Sequence, residues 1–409
     1  MSELSPKKSF MPQGCDHVRP DLIHDFDMFH VPPSVTDPTE IWHQLKRRGV
    51  PDIFFTPRNG GHWVFLNYDD IVTAYRQHDI FSSRNSSMPP MEDWPTLQPV
   101  GLDPPQNDIF RRVLAPSFTP RAVREFTEEL TRRAVPMIER IAQQGSCDFI
   151  EEYACRFPTS AFLYIFGLPE ERLPDFLKIA HKFFRTNDPD LKREAVQQIM
   201  YEIDFYFKKK LETPQNDLAT AIVNACDEDG VAYPWQDRVN CGFLMFAAGL
   251  DTVTNTMSYV WHHLATASES RQFFRSRLDD PDAFLLALEE LMRINAVSNI
   301  MRRVKTDTVY KGIVMRENDR VVLPNTVANR DPAKFDNPQT VDLTRQVNQH
   351  VTFGAGPHRC VGSHLAKREI FVSMREWLKR IPDFQLADQD LGSAFGGSVM
   401  GFTSLKLRW

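Results

Sequence analysis

A mainly α-helical fold with small β-sheets is predicted for this chain of 409 residues. The pattern between residues 120 and 290 is mostly helical, and its longest candidate helix runs from about Pro234 to Ser268. Short β-rich runs occur in residues 50–69 and 300–330, outside that helical region. Long helices flanked by short strands indicate a helical protein that carries its sheets at the margins.

Composition and charge exclude several classes of protein. Hydrophobic residues make up 42% and charged residues 25%, and the net charge of −6 gives no reason to expect a nucleic acid partner. No signal peptide is apparent, and the longest uncharged apolar stretch, Cys241–Leu250, is too short to span a membrane. We therefore expect a cytoplasmic protein that binds no membrane. The six scattered cysteines predict neither a disulfide framework nor a zinc cluster.

No repeat and no flexible linker divides the chain, so residues 1–409 are expected to form a single domain. The polar residues 1 to about 20 are expected to be poorly ordered. Residues 50–69 predict a β-hairpin around the turn sequence Asn59-Gly60-Gly61. Residues 84–101 contain four prolines and no helical period, which predicts a long loop.

A helix is predicted directly after this loop, with Asp103 as its N-cap and the following prolines in its first turn. The long helix from about Pro234 has an apolar middle and should be buried. Residues 300–330 are β-like, an irregular stretch follows, and a final helix is predicted from about Cys360 to Arg380.

The middle of the long helix contains an acid and a hydroxyl, in Ala247-Ala248-Gly249-Leu250-Asp251-Thr252. A buried carboxylate is costly unless it is paired, and a helical glycine costs about 1 kcal/mol relative to alanine. Small residues before Asp251 and Thr252 therefore indicate a ligand that lies against the helix beside a proton source. A helix cap or an incidental kink is the alternative. Candidate partners for the carboxylate are Lys178, Lys182 and Arg185.

The segment VTFGAGPHRCVGSHLAKREI, residues 351–370, places Cys360 in a glycine-rich loop where the final helix is predicted to begin. Backbone N–H groups at a helix start favour a thiolate, and the glycines let a flat or bulky group approach the backbone. His358 and Arg359 add hydrogen-bonding or positive groups. A stabilised thiolate in an open loop suits an axial ligand of haem iron. A buried structural thiol is the alternative.

The pattern from Phe353 to Gly362, followed by Ala366, resembles the haem-binding signature of the cytochromes P450, and every signature position matches. The resemblance covers about residues 30–409 and is nearest to the bacterial camphor-hydroxylase branch, through HDFDMF, GGHW, LDPP and GLDTV. It implies the cytochrome P450 fold, a triangular helical prism with haem b between the long central helix and the cysteine-loop helix. In that fold Cys360 is the iron ligand.

The resemblance also implies roles for other residues. Asp251 and Thr252 match the oxygen-activation motif, in which they are catalytic and deliver protons. Glu290 and Arg293 match the structural ExxR element that braces the cysteine loop. Thr340 stands where many members have an arginine, whereas the surrounding positions fit: Phe335, Pro338, Asp342 and Arg345.

The resemblance implies haem contacts from a set of polar and small residues. Arg111, rather than its neighbour Arg112, falls at a position that binds a haem propionate, and Asn107 stands where many members have a histidine. The implied haem-binding residues are Cys360, Asn107, Arg111, Arg302, His358, Phe353, Gly354, Gly362, Ala248 and Gly249.

The substrate pocket is expected to be apolar and terpenoid-sized. Camphor hydroxylases carry a tyrosine donor in the loop before the DPP sequence, but residues 84–101 contain none, and the nearby donors are Trp94, Thr96 and Gln98. The candidate pocket residues are Met88, Trp94, Leu97, Phe184, Leu244, Ala248, Val297, Ser398, Val399 and Met400; core packing is the alternative for each. We expect a monoterpenoid or a norisoprenoid such as an ionone.

The predicted activity is that of a haem-thiolate monooxygenase that hydroxylates a C–H bond with O2. No flavin or iron–sulfur domain is visible, so the resemblance implies two electrons from a 2Fe–2S ferredoxin and its NAD(P)H-dependent reductase. A basic docking face would consist of Arg111, Arg112, Arg359, Lys367 and Arg368. A peroxide-driven peroxygenase and a non-catalytic haem sensor are the alternatives. Asp251 and Thr252 argue against the former, and the lack of an output module argues against the latter.

Overall fold

The computed structural model describes residues 12, 14–88, 95–186, 188–227, 229–388 and 391–409. This part of the chain is mainly α-helical with small β-sheets, as predicted. Its α-helices are α1 (Glu40–Arg47), α2 (Tyr68–Arg76), α3 (Asp108–Leu114), α4 (Pro120–Glu125), α5 (Thr127–Ala142), α6 (Arg156–Phe166), α7 (Leu173–Arg185), α8 (Pro189–Glu212), α9 (Leu218–Val223), α10 (Trp235–Thr266), α11 (Ser268–Arg275), α12 (Pro281–Ile294), α13 (Asn325–Ala328) and α14 (Ser363–Arg380).

The strands are short and form four small sheets within the described ranges. They are β1 (Ile53–Thr56), β2 (His62–Phe65), β3 (Phe81–Ser82), β4 (Ser146–Asp148), β5 (Asn299–Val304), β6 (Thr308–Tyr310), β7 (Ile313–Met315), β8 (Arg320–Pro324), β9 (Gln385–Leu386), β10 (Ala394–Phe395), β11 (Gly401–Phe402) and β12 (Lys406–Arg408). The largest sheet has the order β1-β2-β8-β5-β3, and the others are β4-β12-β9, β6-β7 and β10-β11.

The predicted hairpin of residues 50–69 is present. β1 and β2 pair antiparallel, with Ile53 opposite Phe65 and Thr56 opposite His62. Positive φ angles at Asn59 and Gly60, 55° and 87°, close the turn. The hairpin then joins the largest sheet through a parallel pairing of β2 with β8.

The long helix predicted from Pro234 is α10, and Pro234 is its N-cap. At about 1.5 Å per residue its 32 residues extend for about 48 Å. It is shared by two large hydrophobic clusters, one with α5, α12 and α14 and one with α6, α7, α8 and α9. Residues 239–246 and 253–261 are all buried, whereas Ala248 is exposed and Thr252 is half-buried. Between these two buried runs, the middle of the helix is therefore partly uncovered.

The predicted cap of the helix after residue 103 is wrong. α3 begins only at Asp108, and Asn107 is its N-cap residue. The carboxylate of Asp103 instead accepts hydrogen bonds from Ser82 Oγ at 2.6 Å and from the backbone N–H of Ser83 at 2.8 Å. Asp103 therefore connects the segment before α3 with the end of β3.

Two other boundaries differ from the predictions. The final helix, α14, begins at Ser363 with Gly362 as its N-cap, so Cys360 precedes the helix instead of starting it. Part of the β-like region 300–330 is helical, because α13 follows β8 directly.

Part of the segment expected to be poorly ordered packs against the large sheet. Cys15 and Val18 are buried in the cluster that includes Trp63, and His17 Nε2 lies 2.8 Å from Asp319 Oδ2. Packing on the large sheet therefore holds residues 14–20 in place. Among the described helices, none is long and apolar enough to cross a membrane.

Candidate functional site in the cysteine loop and central helix

The loop before α14 is closed by its own backbone. The N–H of Cys360 donates to the carbonyl of Phe353 at 2.8 Å, and the N–H of Arg359 donates to that of Gly356 at 3.1 Å. The thiol of Cys360 is exposed, although the protein around it still raises its pKa by desolvation. The backbone N–H of Gly362 and the charges of Arg111 and Arg359 act in the opposite direction and favour the thiolate.

Three glycines shape this loop for different reasons. Gly354 and Gly356 have positive φ angles of 69° and 67°. A Cβ atom on Gly356 would also lie 2.8 Å from the carbonyl oxygen of Tyr75, so the loop approaches α2 closely there. A Cβ atom on Gly362 would lie 3.9 Å from Cys360 Sγ. The last glycine therefore keeps the sulfur accessible.

The middle of α10 borders an open space. A Cβ atom on Gly249 would meet nothing within 4 Å, and Ala248 is exposed although the helix around it is buried. Thr252 Oγ1 donates to the carbonyl of Ala248 at 2.8 Å. Leu365, in the first turn of α14, packs against both clusters that α10 joins. The start of α14, which follows the cysteine loop, therefore packs against the same two clusters as α10.

Asp251 pairs with one of its three predicted partners. Arg185 Nη2 lies 2.8 Å from Asp251 Oδ1, whereas Lys182 binds Glu194 at 2.6 Å. Burial raises the pKa of Asp251, and Arg185, Asn255 and Lys192 oppose that rise. The electrostatic contribution of Lys192 was missed from the sequence, because no pattern relates the start of α8 to the middle of α10.

Polar groups with unmet hydrogen-bonding capacity surround the other side of the loop. His358 Nε2 and both polar side-chain atoms of Asn107 are buried, and none of them has a hydrogen-bond partner in the described part of the chain. Burial, followed by the charges of Arg302 and Arg111, lowers the pKa of His358 to about 4. Arg302 is 3% exposed, and burial lowers its pKa as well. This region is prepared for a buried anion.

These features together fit haem b. A thiolate donor, an open space against small helical residues, and buried cationic and amide groups are what an iron porphyrin with two propionates requires. Cys360 would bind the iron. Arg111, Arg302, His358 and Asn107 would receive the propionates, and the small residues Ala248 and Gly249 would leave room for the ring beside α10.

The ExxR pair lies in the core behind the loop. Glu290 and Arg293 are almost fully buried, and two hydrogen bonds of 2.8 Å join their side chains. Arg293 also donates to backbone carbonyls of the irregular stretch, at 2.7 Å to Asn329, 2.8 Å to Pro338 and 3.1 Å to Thr340.

The third member of this network is a cation, Arg345, and Thr340 occupies the position where many members have an arginine. Arg345 Nε lies 3.0 Å from Glu290 Oε2. Asn348 Nδ2 donates to the same oxygen at 3.0 Å. Arg345, which fits the family pattern at its own position, and Asn348 therefore bind Glu290, while Thr340 contributes only its backbone carbonyl to the network.

A second network of ion pairs connects the residues before and after the cysteine loop. Glu289 binds His350 Nε2 at 2.8 Å and Lys367 Nζ at 2.6 Å. Burial alone would raise the pKa of Glu289, but these two hydrogen bonds bring it to about 2. Lys367 therefore forms an ion pair within the protein, so its charge is less available to the predicted docking face for ferredoxin.

The predicted pocket residues differ in burial: some are half-buried or exposed, and others are buried. Leu97 and Phe184 are half-buried and pack against the cluster that contains Leu244. Ser398 is exposed and Val399 is half-buried, in the segment between β10 and β11. These residues and Ala248 remain candidates for contact with a substrate.

Three other predicted pocket residues lie in hydrophobic clusters, as the core-packing alternative expects. Met88 and Met400 lie in the cluster around Trp42, whose Nε1 donates to Met400 Sδ at 3.2 Å. Val297 is 2% exposed in the cluster of α10 and α14. Trp94 lies outside the described residues. Of the suggested donors, Gln98 is already engaged, since its Nε2 donates to Asp237 Oδ1 at 2.6 Å, and Thr96 is exposed.

The remaining basic residues differ in exposure. Arg112 and Arg359 are exposed, and Arg111 is half-buried. Arg368 is also half-buried, with its guanidinium 5.1 Å from the ring centroid of Phe371.

Comparisons with known proteins agree with this site. The sequence profile of the Cytochrome P450 family matches residues 286–390. The chain is 33% identical to "Probable cytochrome P450 127A1" of Sinorhizobium fredii, and the match covers 100% of both chains. The crystal structures of CYP101C1 and CYP101J2 superpose with TM-scores of 0.87 and 0.85, at 28% and 29% identity. Each covers 96% of this chain and 98% of its own. The chain therefore belongs to the cytochrome P450 family of haem-containing monooxygenases.

Proposed function

We propose that this cytochrome P450 hydroxylates a C–H bond of a small terpenoid-like substrate, a monoterpenoid or a norisoprenoid such as an ionone, with electrons from a 2Fe–2S ferredoxin. The observation that most supports an O2-dependent hydroxylase is the Asp251–Arg185 pair behind the open stretch of α10. The family uses haem b, and the bound haem supplies O–O bond cleavage and C–H oxidation. The chain's residues bind it, orient the substrate and deliver protons.

In this proposal the thiolate of Cys360 binds the haem iron. The N–H of Gly362 and the positive charge of Arg359 stabilise that thiolate. Arg302 would neutralise a propionate, and the uncharged imidazole of His358 would donate a hydrogen bond to one, which would also supply the partner that His358 Nε2 lacks. The Glu290–Arg293 network holds the irregular stretch that leads into the loop.

Proton delivery is assigned to Asp251 and Thr252. Asp251 is buried, and Arg185, whose side chain is 19% exposed, connects it with the protein surface. The Thr252 hydroxyl stands one residue away at the open stretch of α10, where it donates to the carbonyl of Ala248. In this relay the Asp251 carboxyl would give its proton to the Thr252 hydroxyl after a side-chain rotation, and the hydroxyl would release its own proton toward the open space beside α10.

The substrate class is inferred from the apolar residues near the open stretch. Leu97, Phe184, Leu244 and Val399 offer no charge and no strong hydrogen-bond donor. The loop of residues 84–101 also lacks the tyrosine of camphor hydroxylases. Such a pocket favours a compact hydrophobic compound that is held by shape more than by a single polar contact.

The first experiment tests the haem-thiolate centre. We expect the ferrous–CO complex of the wild type to show a thiolate-type Soret band and Cys360→Ala to lose it. Cys226→Ala changes another exposed cysteine and serves as the matched control, which should keep the band. A wild type without this band, or a Cys360→Ala variant with it, would contradict the proposal.

The second experiment tests the substrate class. Monoterpenoids and ionones are added to the ferric protein, and we expect at least some of them to convert the haem from low spin to high spin. Turnover then requires O2, ferredoxin and reductase. A panel without any spin-state change would rule out the proposed substrates, and turnover with peroxide alone would favour the peroxygenase.

The third experiment tests the ferredoxin. Arg359 is exposed beside Cys360, so Arg359→Glu should slow reduction by an acidic 2Fe–2S ferredoxin, and added salt should slow reduction of the wild type. Arg408→Glu, an exposed arginine on β12, is the control and should have no such effect. Equal reduction rates for both variants would argue against this docking face.

A further inference from the structure

Tyr75 is a buried tyrosine on α2 that neither the sequence motifs nor the proposed mechanism uses. It is 2% exposed, and its hydroxyl donates to Asn325 Oδ1 at 2.5 Å. Three parts of the candidate haem site meet its side chain or its backbone. Tyr75 therefore contacts residues of the candidate site as well as the hydrophobic core.

The first of these parts is Arg302, the buried arginine on β5. Its guanidinium carbon lies 5.4 Å from the centre of the Tyr75 ring. Within the described ranges, no carboxylate forms an ion pair with Arg302, and its guanidinium donates to the carbonyl of Met301 at 2.8 Å. An aromatic face attracts such a partly desolvated cation and fixes its direction. The Tyr75 ring thus offers the Arg302 guanidinium an aromatic face in a position where it has no paired carboxylate in the described residues.

The second part is the cysteine loop. A Cβ atom on Gly354 would lie 3.8 Å from Tyr75 Cε1, and one on Gly356 would lie 2.8 Å from the Tyr75 carbonyl oxygen. The loop therefore packs directly on this residue, and its two positive-φ glycines permit that close approach.

The third part is reached through Asn325. Its Nδ2 donates to the carbonyl of Thr352 at 3.4 Å, just before the loop begins. Asn325 is 1% exposed at the start of α13. The Tyr75 hydroxyl orients this amide, because it occupies the oxygen and leaves the nitrogen to face Thr352.

We propose that Tyr75 is a positioning residue for the haem. It holds Arg302 toward a propionate, and it fixes the distance between the cysteine loop and α2. This inference rests on the proposed function, since it concerns the haem that Cys360 would bind. The ring acts through Arg302, and the hydroxyl acts through Asn325 on the loop. Loss of the ring leaves a buried cation without its support, and the propionate is then held less firmly.

The test compares Tyr75→Leu, Tyr75→Phe and Tyr68→Phe. Tyr68 is on the same helix, and its hydroxyl donates to the carbonyl of Gln349 at 2.7 Å, so Tyr68→Phe removes an equivalent hydrogen bond away from Arg302. The measurements are the rate of haem loss to a haem-scavenging globin and the midpoint potential of the ferric/ferrous couple.

We expect Tyr75→Leu to lose haem about tenfold faster than the wild type. Its midpoint potential should become more negative, because a less well placed Arg302 stabilises the additional electron less. Tyr75→Phe should shift both quantities in the same direction by less, and Tyr68→Phe should match the wild type. If Tyr75→Leu does not fold, the difference between Tyr75→Phe and Tyr68→Phe decides the question.

Two results would overturn the inference. One is wild-type haem loss and potential in both Tyr75 variants, and the other is an equal change in Tyr68→Phe. The proposed function fails differently, through a wild-type ferrous–CO complex without the thiolate-type Soret band.

Discussion

Arg185 Nη2 lies 2.8 Å from Asp251 Oδ1, and this ion pair joins the end of α7 to the middle of α10. The ring of Phe395 on β10 lies beneath the guanidinium, 4.7 Å away. The helices α7 and α10 and the strand β10 therefore meet beside the buried carboxylate of Asp251. The pair has consequences for stability as well as for proton delivery.

Arg185→Met should destabilise the protein increasingly as pH rises. Burial raises the pKa of Asp251 and Arg185 opposes that rise, so the pKa of Asp251 should be higher still in the variant. An acid whose folded pKa is raised stabilises the fold below its unfolded pKa, and this stabilisation is lost as pH rises through the folded pKa. At neutral pH we expect the difference in unfolding free energy between wild type and Arg185→Met to be about 1–3 kcal/mol larger than at low pH.

The measurement is urea unfolding of wild type and Arg185→Met at several pH values above the usual aspartate range. The double variant Asp251→Asn/Arg185→Met lacks the acid, and its stability should lose this pH dependence. A wild-type-to-variant difference that stays constant or shrinks with rising pH would contradict the assignment.

Arg345→Met should destabilise the protein by about 2 kcal/mol, because Glu290 is 1% exposed and loses one of its charged hydrogen-bond donors. Thermal unfolding and haem content check this. Arg121→Met is the matched control: its pair with Glu125 is exposed, and its removal should cost at most about 0.5 kcal/mol. Similar effects of the two substitutions would remove Arg345 from the ExxR network.

Gly356→Ala should be more harmful than Gly354→Ala. Both positions have positive φ angles, 67° and 69°, so each substitution costs about 1–2 kcal/mol in backbone strain. At Gly356 the new Cβ atom would also clash with a backbone oxygen at 2.8 Å, which adds about 1–3 kcal/mol of overpacking, whereas at Gly354 the nearest backbone oxygen would lie 3.9 Å away. Chemical denaturation of both variants measures the difference, and equal losses would show that the contact with α2 is unimportant.

Lys210→Met should cost about 3–5 kcal/mol, because it leaves the carboxylate of Asp217 buried without its cation. Both side chains are 7% exposed, and Asp217 also caps α9. Lys208→Met, on the same helix, breaks an exposed pair with Asp204 and should change stability by less than about 1 kcal/mol. Urea unfolding compares the two, and a loss below 1 kcal/mol for Lys210→Met would refute the prediction.

Much of the fold could be predicted because its signals are local. The apolar run after Pro234 predicted α10 to within two residues at either end, and Asn59-Gly60 marked the hairpin turn. Asp103 was misassigned because an aspartate before prolines is a good helix cap in isolation. The competing hydrogen bonds with Ser82 and Ser83 are tertiary, and no local pattern announces them.

The candidate site was partly accessible for the same reason. The loop around Cys360 and the Asp251-Thr252 pair are short motifs, whereas Arg345, Lys192 and Tyr75 act across long stretches of chain. Met88 and Met400 were assigned to the pocket, because an apolar side chain in the right segment gives no sign of which way it points. Only the packing around Trp42 places them in the core.

Arg293 binds its irregular stretch through main-chain oxygens, those of Asn329, Pro338 and Thr340. Every residue type has such an oxygen, so a substitution of Thr340 that keeps the path of the backbone should leave these bonds in place. The charge of Glu290 is met by side chains instead, those of Arg293 and Arg345. The identity of the side chain therefore matters at positions 293 and 345, whereas at position 340 only the main chain matters.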